Sequence, residues 1–316
     1  MVLVCNPHAG SGGRGRIVAI AEAARRWFGS VDLRVTEAAG HAIELAREAD
    51  EEGCELVVAV GGDGTISEVV AGLLGEDGGR EPSCALGVVA AGTGGDFART
   101  LGTPRGVDDA IALLRDGEER CVDAMVVALR ADDGQARRRV AINVVGFGLN
   151  GNVVRNLRRS RLLGASATYA AATARSWMSY RPPPAQVRWV GVDGVEGSWE
   201  GPLTAAFVGN GRFCGGGIDL GPEVRPDDGA LDLLLVPKLS AFDTARGLRS
   251  LYRGKKARVE DVVQVQVHRV EAQVPRAWDV WVDCDGEAAG CLPMTLQVLP
   301  SRLRVRGAWR RPPALG

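Results

Sequence analysis

The stretch Leu56-Val57-Val58-Ala59-Val60-Gly61-Gly62-Asp63-Gly64-Thr65 decides the fold of this chain. Its first five residues form a continuous apolar run that is too short for a helix. Such a run suits a strand that is covered on both faces, as in a parallel sheet. A glycine-rich loop follows at once, and a helical pattern continues to Leu74. Strand, loop and helix in this order predict a ligand-binding loop at the carboxyl end of a central strand.

The same alternation of strand and helix extends over the first part of the chain. We predict strands at 2–5, 31–35, 56–60 and 86–90, and helices at 17–28, 42–52, 66–74 and 107–114. Strict alternation implies right-handed βαβ crossovers. We therefore expect residues 1–122 to form an α/β domain with an open, doubly wound sheet, whose ligands bind beyond the carboxyl ends of the strands.

After about Asp123 the pattern changes to shorter, alternating strands such as Val263–Val267 and Val280–Asp283. This change predicts a β-rich, antiparallel, sandwich-like domain over residues 123–292. A helical insertion is expected from Asn150 to Tyr180, because the three prolines that follow cannot continue a helix. The C-terminal segment 293–316 carries two further strand patterns that could return to either domain.

Size and charge limit the possible functions. The chain has 316 residues, more than a single hydrophobic core usually supports, and 46% of them are hydrophobic. Its 38 basic and 39 acidic residues leave a net charge of -1, so nucleic acid is not an expected partner. No apolar run approaches the roughly 18 to 20 residues that span a bilayer. We expect a cytoplasmic protein whose seven cysteines are reduced; its oligomeric state stays open.

The first glycine-rich loop runs Asn6-Pro7-His8-Ala9-Gly10-Ser11-Gly12-Gly13-Arg14-Gly15. Glycines let backbone N–H groups approach a phosphate, and the helix that follows offers its positive N-terminal end. The last six residues also fit the GxGxxG dinucleotide pattern, with Glu37 near the place of the ribose acid. However, four residues separate the strand from the first glycine, whereas a dinucleotide turn begins almost at once.

Two further loops carry polar groups that suit a nucleotide. In the second loop, Asp63 can serve a metal ion or hydroxyl groups, and Thr65 can cap the helix or bind phosphate. The third loop runs Ala91-Gly92-Thr93-Gly94-Gly95-Asp96-Phe97-Ala98-Arg99. Thr93 is its predicted nucleotide contact, and Asp96 is either a helix cap or a polar organiser. A Walker A sequence does not occur, which excludes a P-loop kinase.

Carboxylates concentrate at two turns of the second half. The segment from Pro222 to Asp232 offers oxygen ligands that favour Mg2+ or Ca2+ over zinc, although a solvated turn has the same composition. The segment Asp283-Cys284-Asp285-Gly286-Glu287 follows a strand-like run. A carboxylate held there could take the proton of an acceptor hydroxyl, with Glu287 as first choice and Asp285 as second. An ordinary hairpin turn is the alternative.

Five motifs, taken in order, resemble the diacylglycerol kinase catalytic family and look closest to its soluble bacterial lipid kinases. These motifs are NPHAGSG, GGDGT, GTGGDFAR, RPDDGALD and DGE. GGDGT alone would also suggest an NAD kinase or a phosphofructokinase, but the other four motifs separate them. The resemblance implies an N-terminal nucleotide domain, a C-terminal lipid-binding domain and an active site in the cleft between them.

The resemblance also implies roles for individual residues. It makes Glu287 the general base, and it places a structural metal on the Asp228 carboxylate and the carbonyls of Arg225 and Ala230, with Asp123 in the surrounding network. The implied ATP contacts are Asn6, Pro7, His8, Ala9, Gly10, Thr36, Gly61, Gly62, Asp63, Gly64, Thr65, Ile66, Ser67 and Thr93. Two residues depart from the family pattern, Ala90 for a proline and Gly95 for an asparagine, and Gly95 lacks an amide that could support nucleotide binding.

The sequence therefore predicts a lipid kinase that uses ATP and Mg2+ to phosphorylate a diacylglycerol-like hydroxyl. The protein would bind its lipid partner at the inner face of the membrane, as a peripheral membrane protein. The arginines at 155, 158, 159 and 161 could face anionic headgroups or simply form a solvated helix face. The alternatives are an NAD kinase-like or other small-molecule kinase and, because of Gly95, a nucleotide-binding module with weak activity.

Overall fold

The fold is that of a computed structural model, which describes residues 1–10, 13–92, 95–131, 133–159, 176, 180–221, 223–238 and 262–309, with the backbone only at 157–159. Thr93 and most of the predicted insertion between Asn150 and Tyr180 lie outside the described residues. None of the described helices is long and apolar enough to cross a membrane. All seven cysteines are free thiols.

Four parallel strands form the N-terminal part of the sheet, in the order β2-β1-β3-β4. They are β1 (Val2–Cys5), β2 (Asp32–Val35), β3 (Leu56–Gly61) and β4 (Ala85–Ala90). Every side chain of β1 and β3 is buried, as the uninterrupted apolar runs predict. Because the strands are parallel, the loops that follow β1, β2, β3 and β4 all leave the same edge of the sheet.

Helices cover both faces of these strands. They are α1 (Gly13–Arg25), α2 (His41–Glu51), α3 (Asp63–Leu74), α4 (Asp96–Thr100) and α5 (Val107–Asp116). Leu3 of β1 packs with α1 and α5 in one cluster, whereas its neighbour Val4 packs with α2 and α3 in another. Successive side chains of a strand point to opposite faces, so one short strand supports two cores.

The remaining strands form a β-rich second half, as predicted. They are β5 (Glu118–Arg130), β6 (Ala136–Ala141), β7 (Val144–Gly148), β8 (Pro184–Gly191), β9 (Glu196–Gly209), β10 (Phe213–Cys214), β11 (Ile218–Asp219), β12 (Leu231–Pro237), β13 (Val263–Gln273), β14 (Trp281–Cys284) and β15 (Glu287–Gly307). They pair antiparallel with one another, and β10 and β11 form a separate two-stranded sheet. Helix α6 (Leu149–Arg159) follows β7.

The long strand β15 joins the two halves into one sheet. Its first residues pair with β14, its middle pairs with β13 and β5, and near its end Val305 pairs in parallel with Leu86 of β4. The two strand patterns expected near Leu296 and Leu303 are therefore parts of one strand. The boundary expected between residues 122 and 123 falls inside β5, which pairs with β15 along most of its length.

Candidate active site

Three glycine-rich loops meet at the carboxyl edge of the parallel strands. A side-chain carbon added at Gly10, in the first loop, would lie 2.1 Å from the carbonyl oxygen of Ala91 in the third. One added at Gly92 would lie 2.7 Å from Cα of Gly62 in the second. Contacts this short leave room for glycine only. The loops therefore pack backbone against backbone, which leaves little space for side chains between them.

Asn6 connects the first loop to the second. Its Nδ2 donates a hydrogen bond to Thr65 Oγ1 at 3.2 Å, and its Oδ1 accepts one from the backbone N of His8 at 2.9 Å. Thr65 is buried and does not cap α3, whose N-cap residue is Gly62. The structure thus gives Thr65 a bond within the loop cluster instead of the helix-capping role that the sequence left open.

Asp63 connects the second loop to the third. Its Oδ2 accepts a hydrogen bond from the backbone N of Gly95 at 2.8 Å, and its Oδ1 accepts one from the backbone N of Phe97 at 3.2 Å. Both carboxylate oxygens therefore bind the start of α4. Asp63, rather than Asp96, satisfies backbone donors at this helix start.

Gly95 itself adopts a left-handed conformation, with φ of 75° and ψ of 41°. Glycine and asparagine are the residues that tolerate this conformation best. The asparagine expected from the resemblance and the glycine found here therefore permit the same backbone, although glycine supplies no side-chain amide.

Glu287 reaches the second loop from the other half of the molecule. A side-chain carbon added at Gly64, in the first turn of α3, would lie 3.9 Å from Glu287 Oε1. The other oxygen, Oε2, is 3.4 Å from a terminal guanidinium nitrogen of Arg139 on β6. The Glu287 side chain is 35% exposed, so it is partly open to solvent beside Gly64. We call this meeting place of the two halves the cleft. The first-choice base of the sequence analysis therefore lies beside the predicted nucleotide loop.

The carboxylate of Asp285, the second-choice base, is engaged by hydrogen bonds from backbone N–H groups. Its carboxylate accepts hydrogen bonds from the backbone N of Ile142 at 2.9 Å, Asn143 at 2.9 Å and Val144 at 3.0 Å. Asp285 is only 6% exposed and has a positive φ of 51°. Burial raises its pKa to about 6, against the lowering effect of the three N–H donors. Asp285 thus anchors the β6–β7 turn to the hairpin that carries Glu287.

Two further carboxylates of the cleft have raised pKa values. Burial raises the pKa of Asp283 to about 8, and the charges of Asp285 and Glu287 act in the same direction. Burial also raises the pKa of Asp96, against a hydrogen bond of 2.8 Å that its Oδ2 accepts from the backbone N of Gly216. Asp96 therefore ties the start of α4 to the β10–β11 hairpin, which is the organising role among the two that the sequence left open.

Comparisons with known proteins identify the family of this chain. The family model of the diacylglycerol kinase catalytic domain matches residues 1–127. The family model of the YegS C-terminal NAD kinase beta sandwich-like domain matches residues 143–307. The protein named "Probable lipid kinase YegS-like" of Xanthomonas euvesicatoria pv. vesicatoria is 33% identical over 87% of this chain and 86% of its own length. This chain belongs to the YegS-like lipid kinases. It is a kinase of the diacylglycerol kinase catalytic family, as the motifs indicated.

Other relatives extend the match over nearly the whole chain. The YegS-like protein of Stenotrophomonas maltophilia is 28% identical, with 90% of both chains covered. A diacylglycerol kinase structure from Bacillus anthracis superposes with a TM-score of 0.70 at 22% identity, over 97% of this chain and 96% of that one. Yeast NADH kinase, solved with NADH, reaches 0.52 at 12% identity over 96% of this chain and 81% of that one. These two likenesses show a shared fold.

In this lipid kinase the other predicted nucleotide residues occupy different environments. Residues 6–10 follow β1 and Thr36 follows β2, whereas residues 61–67 run from the last residue of β3 into α3. All of them lie at the same edge of the sheet. His8 is exposed and Thr36 is 8% exposed, whereas Ile66 is 1% exposed and packs into the core between α3 and the sheet. Ile66 could therefore contact a nucleotide only through its backbone. These ATP contacts remain predictions.

The predicted metal turn folds against β5. Asp228 Oδ1 accepts a hydrogen bond of 3.1 Å from the backbone N of Ala230, and the buried Asp123 accepts 2.7 Å bonds from the backbone N of Gly229 and Ser301. Within the part of the chain that the structure describes, no group of three or more histidine, cysteine or acidic side chains is arranged to hold a metal ion. The predicted metal site has only one carboxylate, and its other ligands are the carbonyls of Arg225 and Ala230, so a search for side-chain clusters does not test it. The metal site remains a prediction.

The structure adds site residues that no local motif indicated. Arg139 lies on an edge strand among other arginines, and Gly216 lies in a short hairpin. Arg212, which begins that hairpin, forms a two-point ion pair with Asp219 at 2.8 and 2.6 Å. Arg139 and Gly216 reach the site through contacts between distant parts of the chain, whereas Arg212 forms a local pair that matches no motif. For Arg139 the local sequence offered only a run of three arginines, which lies within β6.

Proposed function

We propose that this chain transfers the γ-phosphoryl group of ATP to the hydroxyl of a diacylglycerol-like lipid. One observation carries the proposal: the carboxylate of Glu287, from the β-rich half, lies against Gly64 in the first turn of α3. A general base must lie within reach of both the acceptor hydroxyl and the phosphoryl group that it attacks. A carboxylate from one half at the phosphate loop of the other satisfies this requirement.

The nucleotide side of the cleft would be built by the first and second loops. The N-termini of α1 and α3 follow these loops and offer free backbone N–H groups and the positive end of the helix dipole. In the doubly wound arrangement that we propose for this domain, β1 and β3 are neighbours, so the two helix starts face the same ligand. Asn6 and Asp63 would keep the three loops in register around the phosphates.

Magnesium would act in two places. The Mg2+ that accompanies ATP neutralises charge on the phosphates during transfer. The turn at Asp228 fits a second, structural cation, because burial and the neighbouring charges of Asp123 and Asp227 raise the pKa of this carboxyl. A divalent cation would relieve this repulsion, held by Asp228 and the carbonyls of Arg225 and Ala230.

Phosphoryl transfer would proceed in one step. The O–H bond of the lipid breaks as its proton passes to Glu287, the lipid oxygen bonds to the γ-phosphorus, and ADP leaves with the electron pair of the broken P–O bond. No phosphoenzyme is required. Asp285 is unsuited to the role of base, since backbone N–H groups bind both of its oxygens.

The lipid would enter from the membrane while the protein stays peripheral. Helix α6 packs against β14, which leads to the Glu287 hairpin, and Arg155 of this helix stacks on Trp281 at 4.4 Å. Cationic residues beside the cleft would favour an anionic membrane surface. The side chains of Arg158 and Arg159, and all of Arg161, lie outside the described residues.

The test is transfer of label from γ-labelled ATP into an organic-extractable product, with parent protein and the Glu287→Gln variant. The amide keeps the shape of the side chain but cannot accept the proton, so we expect turnover to fall roughly 100-fold to 10,000-fold with ATP affinity nearly unchanged. Glu271→Gln, an exposed site on β13, is the matched control. Near-parent turnover of Glu287→Gln would refute the base assignment.

The same assay separates the alternatives. An NAD kinase-like enzyme, whose fold is represented by yeast NADH kinase, would leave the label in the aqueous phase on a soluble acceptor. A weak nucleotide-binding module would bind ATP without turnover on any lipid. Transfer into diacylglycerol, monoacylglycerol, a sphingoid base or phosphatidylglycerol, compared by mass spectrometry, identifies the acceptor.

A further inference from the structure

Arg139 pairs with the proposed base. A terminal nitrogen of its guanidinium lies 3.4 Å from Glu287 Oε2, and the two side chains are 30% and 35% exposed. The residues are 148 positions apart, so the contact depends on the tertiary fold. We propose that Arg139 is a positioning residue that orients the Glu287 carboxylate for catalysis. The inference rests on the proposed lipid kinase function.

The fold sets Arg139 apart from its neighbours. Strand β6 carries Arg137, Arg138 and Arg139 in succession and pairs with β5. The first two arginines are exposed, whereas Arg139 is half-buried and its Nε is buried without a hydrogen-bond partner among the described residues. Helix α3, whose first turn meets Glu287, packs against β6. One arginine of three is therefore directed into the cleft.

The two carboxylate oxygens of Glu287 have different neighbours. Oε2 meets the guanidinium, and Oε1 lies nearest Gly64 of the phosphate loop. The backbone before Glu287 is already fixed, because Asp285 binds three backbone N–H groups and Gly286 N donates to Asp283 Oδ1 at 2.8 Å. The side chain of a glutamate keeps its rotamer freedom beyond that backbone. Arg139 restricts this freedom, and Oε1 is left to receive the proton.

Loss of the Arg139 side chain should affect catalysis and folding stability to different extents. An ion pair as exposed as this one typically contributes little to folding stability. Misplacement of a reacting group by about 1 Å can lower a rate by roughly 100-fold. Loss of Arg139 should therefore reduce turnover much more than it changes the melting temperature.

The experiment compares Arg139→Gln, Arg139→Lys and the control Arg138→Gln, which removes one positive charge from an exposed site of the same strand. The acceptor is a short-chain diacylglycerol in detergent micelles. We expect Arg139→Gln to lower kcat roughly 10-fold to 100-fold with unchanged ATP affinity. Arg139→Lys should recover part of the loss, and Arg138→Gln should retain parent kcat. A loss of ATP affinity with unchanged kcat would make Arg139 a nucleotide contact and overturn the proposal.

A double variant tests whether Arg139 acts through Glu287. If it does, Arg139→Gln should cause little further loss in the Glu287→Gln background, because the base is already absent. A full additional loss there would overturn the positioning role. Parent activity in Arg139→Gln, with an active parent enzyme, would refute the positioning role alone. A parent protein that phosphorylates no lipid would refute the proposed function and the positioning role together.

Discussion

At the scale of single residues, the acidic side chains of the cleft divide by what their oxygens bind. Those of Asp63 and Asp285 bind backbone N–H groups, and these bonds hold the β4–α4 loop and the β6–β7 turn in place. Glu287 instead binds one guanidinium and faces the open cleft. A carboxylate that is free of backbone donors can exchange a proton without breaking the fold.

Asp63 supports the third loop, so its removal should act on nucleotide binding and on stability. Asp63→Ala leaves the backbone N–H groups of Gly95 and Phe97 without their acceptor, at a cost of about 1 to 3 kcal/mol. We expect a folded protein with strongly reduced ATP affinity and activity. Titration calorimetry with ATP and urea unfolding measure the two effects. Unchanged ATP affinity and turnover in the folded variant would contradict this role.

Asp283 should make stability depend on pH. Its folded pKa of about 8 lies above the ordinary value of 3.8, so between about pH 4 and pH 8 the folded chain holds a proton that the unfolded chain releases. The free energy of unfolding should therefore fall as pH rises through this window. In Asp283→Asn, which cannot titrate, the melting temperature should fall less between about pH 5 and pH 8. Asp193→Asn, at an exposed turn, should keep the parent slope, and equal slopes for Asp283→Asn and parent would contradict the assignment.

The sequence identified the site residues that belong to local patterns. Glycine-rich loops after buried strands, and the acid after a Gly turn, can be read from neighbouring letters, and the structure brings Asn6, Asp63 and Glu287 into one cleft. Arg139 and the bonds of Asp285 join segments more than 140 positions apart. Short-range patterns do not contain such pairings, because they depend on the register between distant strands.

At the scale of elements, the β10–β11 hairpin holds α4 from the second half of the molecule. Thr100 at the end of α4 accepts a hydrogen bond of 3.1 Å from the backbone N of Arg212, and Asp96 at its start accepts one from Gly216. Arg99 and Arg212 each lie 5.1 Å from the ring centre of Phe213. A helix of five residues has little stability of its own, so these contacts set its position.

Arg212→Ala should loosen this hairpin. It removes the two-point bond to Asp219, which is 7% exposed and would be left buried without its cation. We expect a loss of about 1 to 3 kcal/mol in urea unfolding, together with lower ATP affinity through displacement of α4. Arg269→Ala is the control, because Arg269 and Glu271 form a pair that is 47% exposed on both sides. A loss no larger than that of the control would count against the role of the hairpin.

Most elements of the first domain were predictable within a few residues, since each is a short apolar run or a clear helical repeat. The helix expected at Ile66 begins three residues earlier, at Asp63, because the GGDGT loop itself forms the first helical turn. The two patterns near Leu296 and Leu303 form one strand of 21 residues. Register shifts between Leu299 and Leu303 divide its pairing with β5, which explains the interruption in the sequence pattern.

At the scale of the whole molecule, β15 contributes to two hydrophobic cores. Leu296 is fully buried in the core of the β-rich half. Leu303 and Val305 are buried in the core beneath α2 and α3, together with Val122 and Ala124 of β5. The chain therefore returns to the nucleotide half after completing the second half. Glu287, at the start of the same strand, is thereby tied to the sheet that carries the nucleotide loops.

This connection predicts that the two halves unfold together. Leu303→Ala removes a side chain that is 1% exposed from the first core and should cost about 2 to 5 kcal/mol. If β15 couples the cores, the urea midpoint should fall equally when it is measured by far-UV circular dichroism and by tryptophan fluorescence. Among the described residues, the tryptophans lie mainly in the second half, at Trp189, Trp199, Trp278 and Trp281. Leu296→Ala should shift both signals in the same way from the other core, and Arg304→Ala, at an exposed position between the buried ones, should shift neither by much. A Leu303→Ala protein whose fluorescence midpoint stays at the parent value while its dichroism midpoint falls would show independent domains and contradict coupling through β15.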